Sequence, residues 1–246
     1  MKANFGFKKV NVKDKEPKVQ KVFTTVSEKY DLMNDLMSIG LHRLWKKKLI
    51  DLIHPTSEDI LLDLAGGTGD VAFKFIKSGG KKAIIYDLNK EMMEIGKEKL
   101  INTMYTKRNK VEFIHGNAEK LSFQANKFDY CTISFGIRNV TYPKKVIKEA
   151  HRILKPGGQF FCMEFFNIEN KLISKLYDLY SFNIILKIGK LVSNSETSYS
   201  YFVESIRKFH KPSEIINLME EVGFSDVKCK KLSFGIVNII YGYKIS

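Results

Sequence analysis

The sequence predicts an α/β fold, a largely parallel sheet with helices on both faces, and three observations predict it. Beyond Pro55 short apolar runs alternate with amphipathic stretches, the pattern of parallel strands joined by crossover helices. In "LKPGGQFF", Pro156 and the Gly157-Gly158 pair stop a helix and turn the chain into a strand. The last two apolar runs lie too close together for a crossover helix, so they pair as an antiparallel hairpin.

The elements follow in order. The first 55 residues include "VQKVFTTVSEKYDLMNDLMSIGLHRLWKKKLIDLI", which reads as two or three amphipathic helices. They cover one face of the sheet or form a lid over its pocket. Strands are expected at "ILLDLAG", "KAIIYDL", "VEFIHGN", "FDYCTISF" and "GQFFCMEFF", with helices over about 70–78, 90–104 and 143–154. After Phe166 a polar helical insertion occupies about 169–210, followed by a helix at "PSEIINLMEEVGF" and the hairpin of "DVKCKKLSFG" and "IVNIIYGYK". The division is thus a helical cover over 1–55 and a main domain over 56–246. A chain of 246 residues suits one core with an insertion.

Composition narrows the classes. With 44% apolar residues the chain is that of a globular protein. Its longest apolar stretches are broken by lysines, as in "FNIILKIGKLV", which excludes a membrane-spanning helix. The N-terminus lacks an apolar signal core, which argues against secretion. A cytoplasmic location is expected, or an organelle interior if a presequence has been removed. Cys131, Cys162 and Cys229 are odd in number and scattered, as in a reducing compartment. The five histidines have no metal-ligand spacing, so no metal is expected. A formal charge of +14 calls for nucleic acid, an anionic membrane surface or an acidic protein, or is plain lysine-biased composition. The lysines are scattered along helical positions and not gathered into a strip interleaved with aromatics, so nucleic acid is not favoured.

"LLDLAGGTGD" is a strand running into a glycine turn and a helix that begins near Asp70. Gly66 and Gly69 let the backbone approach a ligand, and the helix start offers free N–H groups. The turn lacks the G-x-G-x-x-G spacing of dinucleotide sites. Asp63 and Asp70 would repel a pyrophosphate and suit a cation. Asp87 ends the next strand, 24 residues after Asp63, where doubly wound folds place the carboxylate that binds ribose hydroxyls. Asn117 and Ala118 follow strand three, where an adenine would lie. Together these point to S-adenosylmethionine, whose sulfonium and ammonium suit an acidic pocket. The five-strand core with its closing hairpin is the layout of class I S-adenosylmethionine-dependent methyltransferases, a Rossmann-like seven-stranded sheet.

Longer stretches are more specific. "FGFKKV", "VFTTVSEKYDLMNDLMSIGLHRLWK", "TISFGIRNVT", "RILKPGGQFFCMEF", "SYSYFVESIRKF" and "GIVNIIYGYK" together resemble the ubiquinone/menaquinone biosynthesis C-methyltransferases nearly end to end. "FHKPSE" and the stretch around "YSFNIILKIGKLV" depart from the family pattern on the substrate side. The resemblance implies cofactor contacts at Thr68, Asp87, Asn117, Ala118 and Ser134. It also implies methylation of a ring carbon of a polyprenylated quinol, a benzoquinol or a demethylmenaquinol.

Aromatic carbon is a weak nucleophile until a ring hydroxyl loses its proton, so a phenolate must be stabilised. Arg138 is the expected group, with an ion pair to an acid of the N-terminal helices as its plainer alternative. Tyr30 and a water are candidates for the proton path, and Asn139 for orienting the second ring oxygen. Tyr30 could equally be a packing aromatic, and Asp31 and Asp35 caps or local partners. A polyprenyl tail implies collection at a membrane, at its cytoplasmic or matrix face, or within a quinone-synthesis complex. Leu172, Leu176, Tyr177, Tyr180 and Phe182 could form an apolar entrance; core packing or a homodimer face is the alternative for them. Two other readings fit the charge or the fold: an RNA-directed methyltransferase and a non-catalytic scaffold. Against the first stands the lack of an Asn/Asp-Pro-Pro-Tyr-type motif after strand four.

Overall fold

In the computed structural model residues 2–168, 175, 177, 179, 180 and 196–246 are described. The chain opens with a small antiparallel hairpin, β1 (Lys2–Phe5) and β2 (Lys8–Asn11), turned at Gly6 with φ 59°. The helices expected from the sequence of this segment begin at Val19, and the hairpin before them was not foreseen: "KANF" alternates polar and apolar residues, but over only four residues, and "KKVN" does not alternate.

Three helices follow: α1 (Val12–Val26), α2 (Tyr30–Ser38) and α3 (His42–Ile53). Their apolar residues recur at helical spacing, Val19, Val22 and Val26 on α1 and Trp45, Leu49, Ile50 and Ile53 on α3, and all are buried. They share one core cluster with Leu61, Ala83 and Ile85 of the sheet. Trp45 lies edge-on to Phe165, 5.7 Å between ring centres, and its Nε1–H donates to Ser233 Oγ at 2.9 Å.

The sheet begins with β3 (Ile60–Leu64), followed by α4 (Asp70–Lys77), β4 (Lys82–Asp87), α5 (Lys90–Met104) and β5 (Val111–His115). Next come β6 (Phe128–Ser134), α6 (Pro143–Ile153) and β7 (Leu154–Phe165). The described chain closes with α7 (Glu196–Lys208), α8 (Pro212–Val222), β8 (Phe224–Leu232) and β9 (Val237–Lys244). Seven strands form one sheet in the order β5-β4-β3-β6-β7-β9-β8. β3 pairs in parallel with β4 and β6, and its Leu61, Leu62 and Leu64 are fully buried, as expected of a strand covered on both faces. β9 inserts between β7 and β8, antiparallel to both, so the closing hairpin expected from sequence is present.

The chain passes from Ile153 straight into β7, and "KPGG" is a bulge inside that strand. Phe128 faces Leu154 and Tyr130 faces Gln159, so β7 advances five residues while β6 advances two. The expected entrance residues Leu172, Leu176 and Phe182 lie outside the described residues. Tyr180 is within them and donates its hydroxyl to the Leu36 carbonyl.

Candidate active site

The order of strands reverses between β4-β3 and β6-β7, and crevices outside the carboxyl ends of strands at such a point are the usual ligand sites. β3 ends there in the glycine turn. Ala65, Gly67 and Gly69 have φ of 50°, 53° and 86°, and Gly69 precedes the first turn of α4. A Cβ on Gly66 would lie 2.8 Å from Asp63 Oδ2, so glycine alone lets the turn cross the buried carboxylate. The Gly67 N–H donates to Asp87 Oδ2 at 2.8 Å, and the Asn89 N–H to Asp87 Oδ1 at 2.7 Å. Asp87 therefore ties the turn to the end of β4. Burial pushes its carboxyl up from the ordinary range, against the pull of those N–H groups.

The two acids expected to face the ligand do something else. Asp63 lies beneath the turn, 1% exposed, and accepts the Thr132 hydroxyl at 2.7 Å. Burial pushes its carboxyl up to about 7. Asp70, at the start of α4, accepts Lys46 Nζ at 2.7 Å and also pairs with Lys99. Burial would raise it, but the Lys46 and Lys99 charges override that and hold it well below the usual carboxylate range.

An outer chamber opens in front of the turn, about 750 Å³ with the space open to solvent included. Gly67, Asp87, Asn117, Ala118, Tyr30 and Asn139 form part of its wall; Asp63, Gly66, Thr68, Gly69, Ser134 and Arg138 do not. Thr68 is buried behind the turn, and Ser134 Oγ is buried without a hydrogen-bond partner among the described residues. Asn117 is already engaged on both ends, its Nδ2 donating to Glu16 Oε2 at 2.7 Å and its Oδ1 accepting the Glu119 N–H at 2.8 Å. In a chain of net charge +14, the described wall of this chamber carries three carboxylates, Glu16, Asp87 and Glu119, and no lysine, arginine or histidine. That donor set fits S-adenosylmethionine: Asp87 for ribose hydroxyls, the Asn117–Ala118 segment for adenine, and fixed negative charge for a cationic ligand. Glu16 was not singled out from sequence, because a glutamate in an amphipathic N-terminal helix has no mark to separate it from a solvated one.

Tyr30 and Phe135 also wall a narrower inner chamber, a cleft of about 330 Å³ with the space open to solvent included, which must widen to admit a ring. Met33, Met37, Phe165 and Phe202 make it apolar, and Asn34, Ser38, His42 and Arg138 add polar groups. Arg138 is 8% exposed and pairs through Nη1 with Glu164, which is fully buried on β7. The ion pair weighed from sequence therefore exists, but the acid comes from the sheet and not from the N-terminal helices. Nη1 also donates to the Phe135 carbonyl at 3.1 Å, while the buried Nε–H has no partner among the described residues. Burial pushes the Tyr30 hydroxyl up to about 12, against the opposing pulls of Asn34 and the Arg138 charge. Asn139 donates to the Phe135 carbonyl at 3.2 Å and accepts the Tyr201 hydroxyl at 2.9 Å. The positive φ of this segment falls on Phe135, at 58°, while Gly136 is needed because a Cβ there would sit 2.7 Å from Ala65 Cβ.

The family model described as the ubiE/COQ5 methyltransferase family matches residues 10–244. The mitochondrial 2-methoxy-6-polyprenyl-1,4-benzoquinol methylase of Dictyostelium discoideum is 43% identical, over 99% of this chain and 86% of that one. The ubiquinone/menaquinone biosynthesis C-methyltransferase of Rhodopseudomonas palustris strain HaA2 is 44% identical, over 99% of this chain and 97% of that one. Among solved structures, an S-adenosylmethionine-dependent methyltransferase of Thermotoga maritima matches with a TM-score of 0.65 at 22% identity, covering 92% of this chain and 99% of that one. That likeness shows the class I methyltransferase fold.

Proposed function

Because the chain belongs to the ubiE/COQ5 methyltransferase family, we propose that it moves a methyl group from S-adenosylmethionine to a ring carbon of a polyprenylated quinol, as its relatives' names describe. One observation carries the reading: an acid-lined chamber with no cation among its described wall residues shares a wall with an apolar chamber that holds Arg138. The first suits a charged methyl donor and the second a flat ring with an ionisable oxygen.

When bound, S-adenosylmethionine supplies an electrophilic methyl on sulfur. Asp87 and the Asn117–Ala118 segment orient the nucleoside end, and Glu16 and Glu119 complete the negative field around it. Tyr30 and Phe135, shared by both chambers, hold the ring where carbon and methyl meet. The Arg138 Nε–H is a donor for the ring oxyanion; its charge is moderated but not abolished by Glu164. Tyr30 stays protonated at neutral pH and so donates to a ring oxygen without removing its proton. Asn139, on the outer wall and fixed by Tyr201, meets the second ring oxygen where the ring reaches past the shared Tyr30 and Phe135.

The substrate tail brings the enzyme to a membrane surface. No helix among the described residues is long and apolar enough to cross a membrane. Leu32, Ile39, Leu41 and Leu44 on and between α2 and α3 are exposed, Ile39 by 72%, and support peripheral contact beside the inner chamber. The D. discoideum and human relatives are described as mitochondrial. For this chain we place the work at a matrix or cytoplasmic membrane face.

The test is transfer of labelled methyl from S-adenosylmethionine to a short-chain demethylated quinol, with bulk RNA as competing acceptor. Label on the quinol ring carbon is the expected result. Label on RNA, or cofactor binding with no transfer to either, would defeat the proposal.

A further inference from the structure

We infer that His42, held by Asp35, is the catalytic base that removes the proton from the acceptor's ring hydroxyl in the inner chamber. This rests on the quinol reading above and deepens it. His42 is 4% exposed and is part of the inner wall, with Tyr30, Ser38 and Arg138. Its Nε2 lies 2.8 Å from Asp35 Oδ1, and Asp35 also accepts Arg43 Nε at 3.0 Å and Nη2 at 2.6 Å. The Arg43 hydrogen bonds hold the Asp35 carboxyl down to about 2, so it stays ionised and accepts the Nε2–H. That fixes the tautomer with its lone pair on Nδ1.

Nδ1 is buried and has no partner among the described residues, and the same is true of the Arg138 Nε–H on the same chamber. Two residues of one apolar cleft, each with a buried polar atom left open, one an acceptor and one a donor, form the complement of a phenolic hydroxyl. The acceptor takes the proton, and the donor holds the oxygen that remains. Other groups there are committed: Glu164 to Arg138, and Tyr30 to its own proton.

The step balances with water as its only further reactant. The ring O–H breaks, Nδ1–H forms, and the electron pair stays on oxygen and is delocalised into the ring. The new carbon–carbon bond then forms as the sulfonium carbon–sulfur bond breaks. Water takes the C–H proton from the methylated carbon, whose bonding pair restores aromaticity, while the imidazolium returns its proton to the ring oxygen. One proton is released overall.

The groups facing His42 set its pH range. Lys46 lies on its own helix, Asp35 and Tyr30 come from α2, Asp70 from the start of α4, and Arg138 from the segment after β6. Burial and the Lys46 charge lower the imidazole below its ordinary value, with Asp35 opposing them. The base is neutral and active above that pKa, so log kcat/KM should show an acidic limb below the usual imidazole range of about 6.5.

The test measures kcat/KM against pH on the demethylated quinol, with S-adenosylmethionine affinity by calorimetry, for the wild type, His42→Gln and Asp35→Asn. His42→Gln should lower kcat by about 100-fold or more and abolish the acidic limb, with cofactor affinity unchanged within about twofold. Asp35→Asn, which removes a positioning carboxylate, should shift the limb to lower pH with a smaller loss of kcat. Retention of turnover within about threefold by His42→Gln, or a loss of cofactor affinity in step with turnover, would overturn the inference. If His42→Gln fails to fold, an unmoved limb in Asp35→Asn overturns it. A wild type that binds the cofactor but methylates no quinol takes the proposed function down with it; an active wild type with an equally active His42→Gln removes the inference alone.

Discussion

The outer and inner chambers share two residues and handle charge in opposite ways. The outer wall presents carboxylates to the cavity, Asp87, Glu16 and Glu119, each braced by hydrogen bonds from the protein. The inner wall keeps its cation within the fold, Arg138 against Glu164, and leaves single N–H and N sites open. A charged ligand calls for a charged wall prepared in advance. A neutral ring that ionises only during reaction calls for one donor and one acceptor, with bulk charge kept out of sight. The same contrast appears beneath the glycine turn, where Asp63 is pushed up to about 7 by burial and Asp70 is held down by two lysines.

The comparison breaks most severely at Glu164. Glu164→Ala leaves the Arg138 charge buried and unpaired, and should cost about 3–5 kcal/mol in urea unfolding. Loss of less than about 1 kcal/mol would mean that Arg138 finds water or another partner. Asp63 sharpens the contrast beneath the turn. Its folded pKa of about 7 lies above its unfolded value of about 3.9, so the folded state binds more protons between the two. Stability should therefore fall as pH rises through that interval, by an amount on the order of a few kcal/mol. Asp63→Asn, which still accepts the Thr132 hydroxyl, should flatten this slope; an unchanged slope in urea midpoints at pH 5 and 8 would place its origin elsewhere.

On the outer wall Asp87→Ala removes both the ribose acceptor and the tie to Gly67. Cofactor affinity should fall by about 1.5–3 kcal/mol in calorimetry, at least tenfold. Asn117→Ala should cost only about 1 kcal/mol of that affinity, since its side chain already bonds Glu16 and the Glu119 N–H.

Legibility in the sequence divides along the same line. The strands of the parallel core, the glycine turn and Asp87 were readable because their signals are local: apolar runs, glycines, and an acid at a strand end. Sequence placed Asp63 and Asp70 beside the ligand because spacing says nothing of which side of a turn a carboxylate faces. The Arg138 partner was out of reach for a different reason. Glu164 sits in the apolar run "FFCMEFF", and only the parallel register, Ser134 beside Met163, brings it under the segment that follows β6. Asp35 and His42 lie seven residues apart on two helices joined through Gly40, whose φ is 74°. That turn folds α3 back so that Asp35 meets His42 and Arg43, a contact that helical periodicity does not foretell. The β1–β2 hairpin left only the four-residue alternation of "KANF", too short to stand out from a coil.

The division of labour between the chambers is tested most directly by Arg138→Lys, measured for S-adenosylmethionine affinity and for quinol turnover on the same preparation. Lysine keeps a positive charge for Glu164 but loses the Nε–H of the planar guanidinium. Cofactor affinity should stay within about twofold of wild type and turnover should fall by about tenfold or more. Equal losses in affinity and turnover would contradict it, and would make Arg138 part of the cofactor wall.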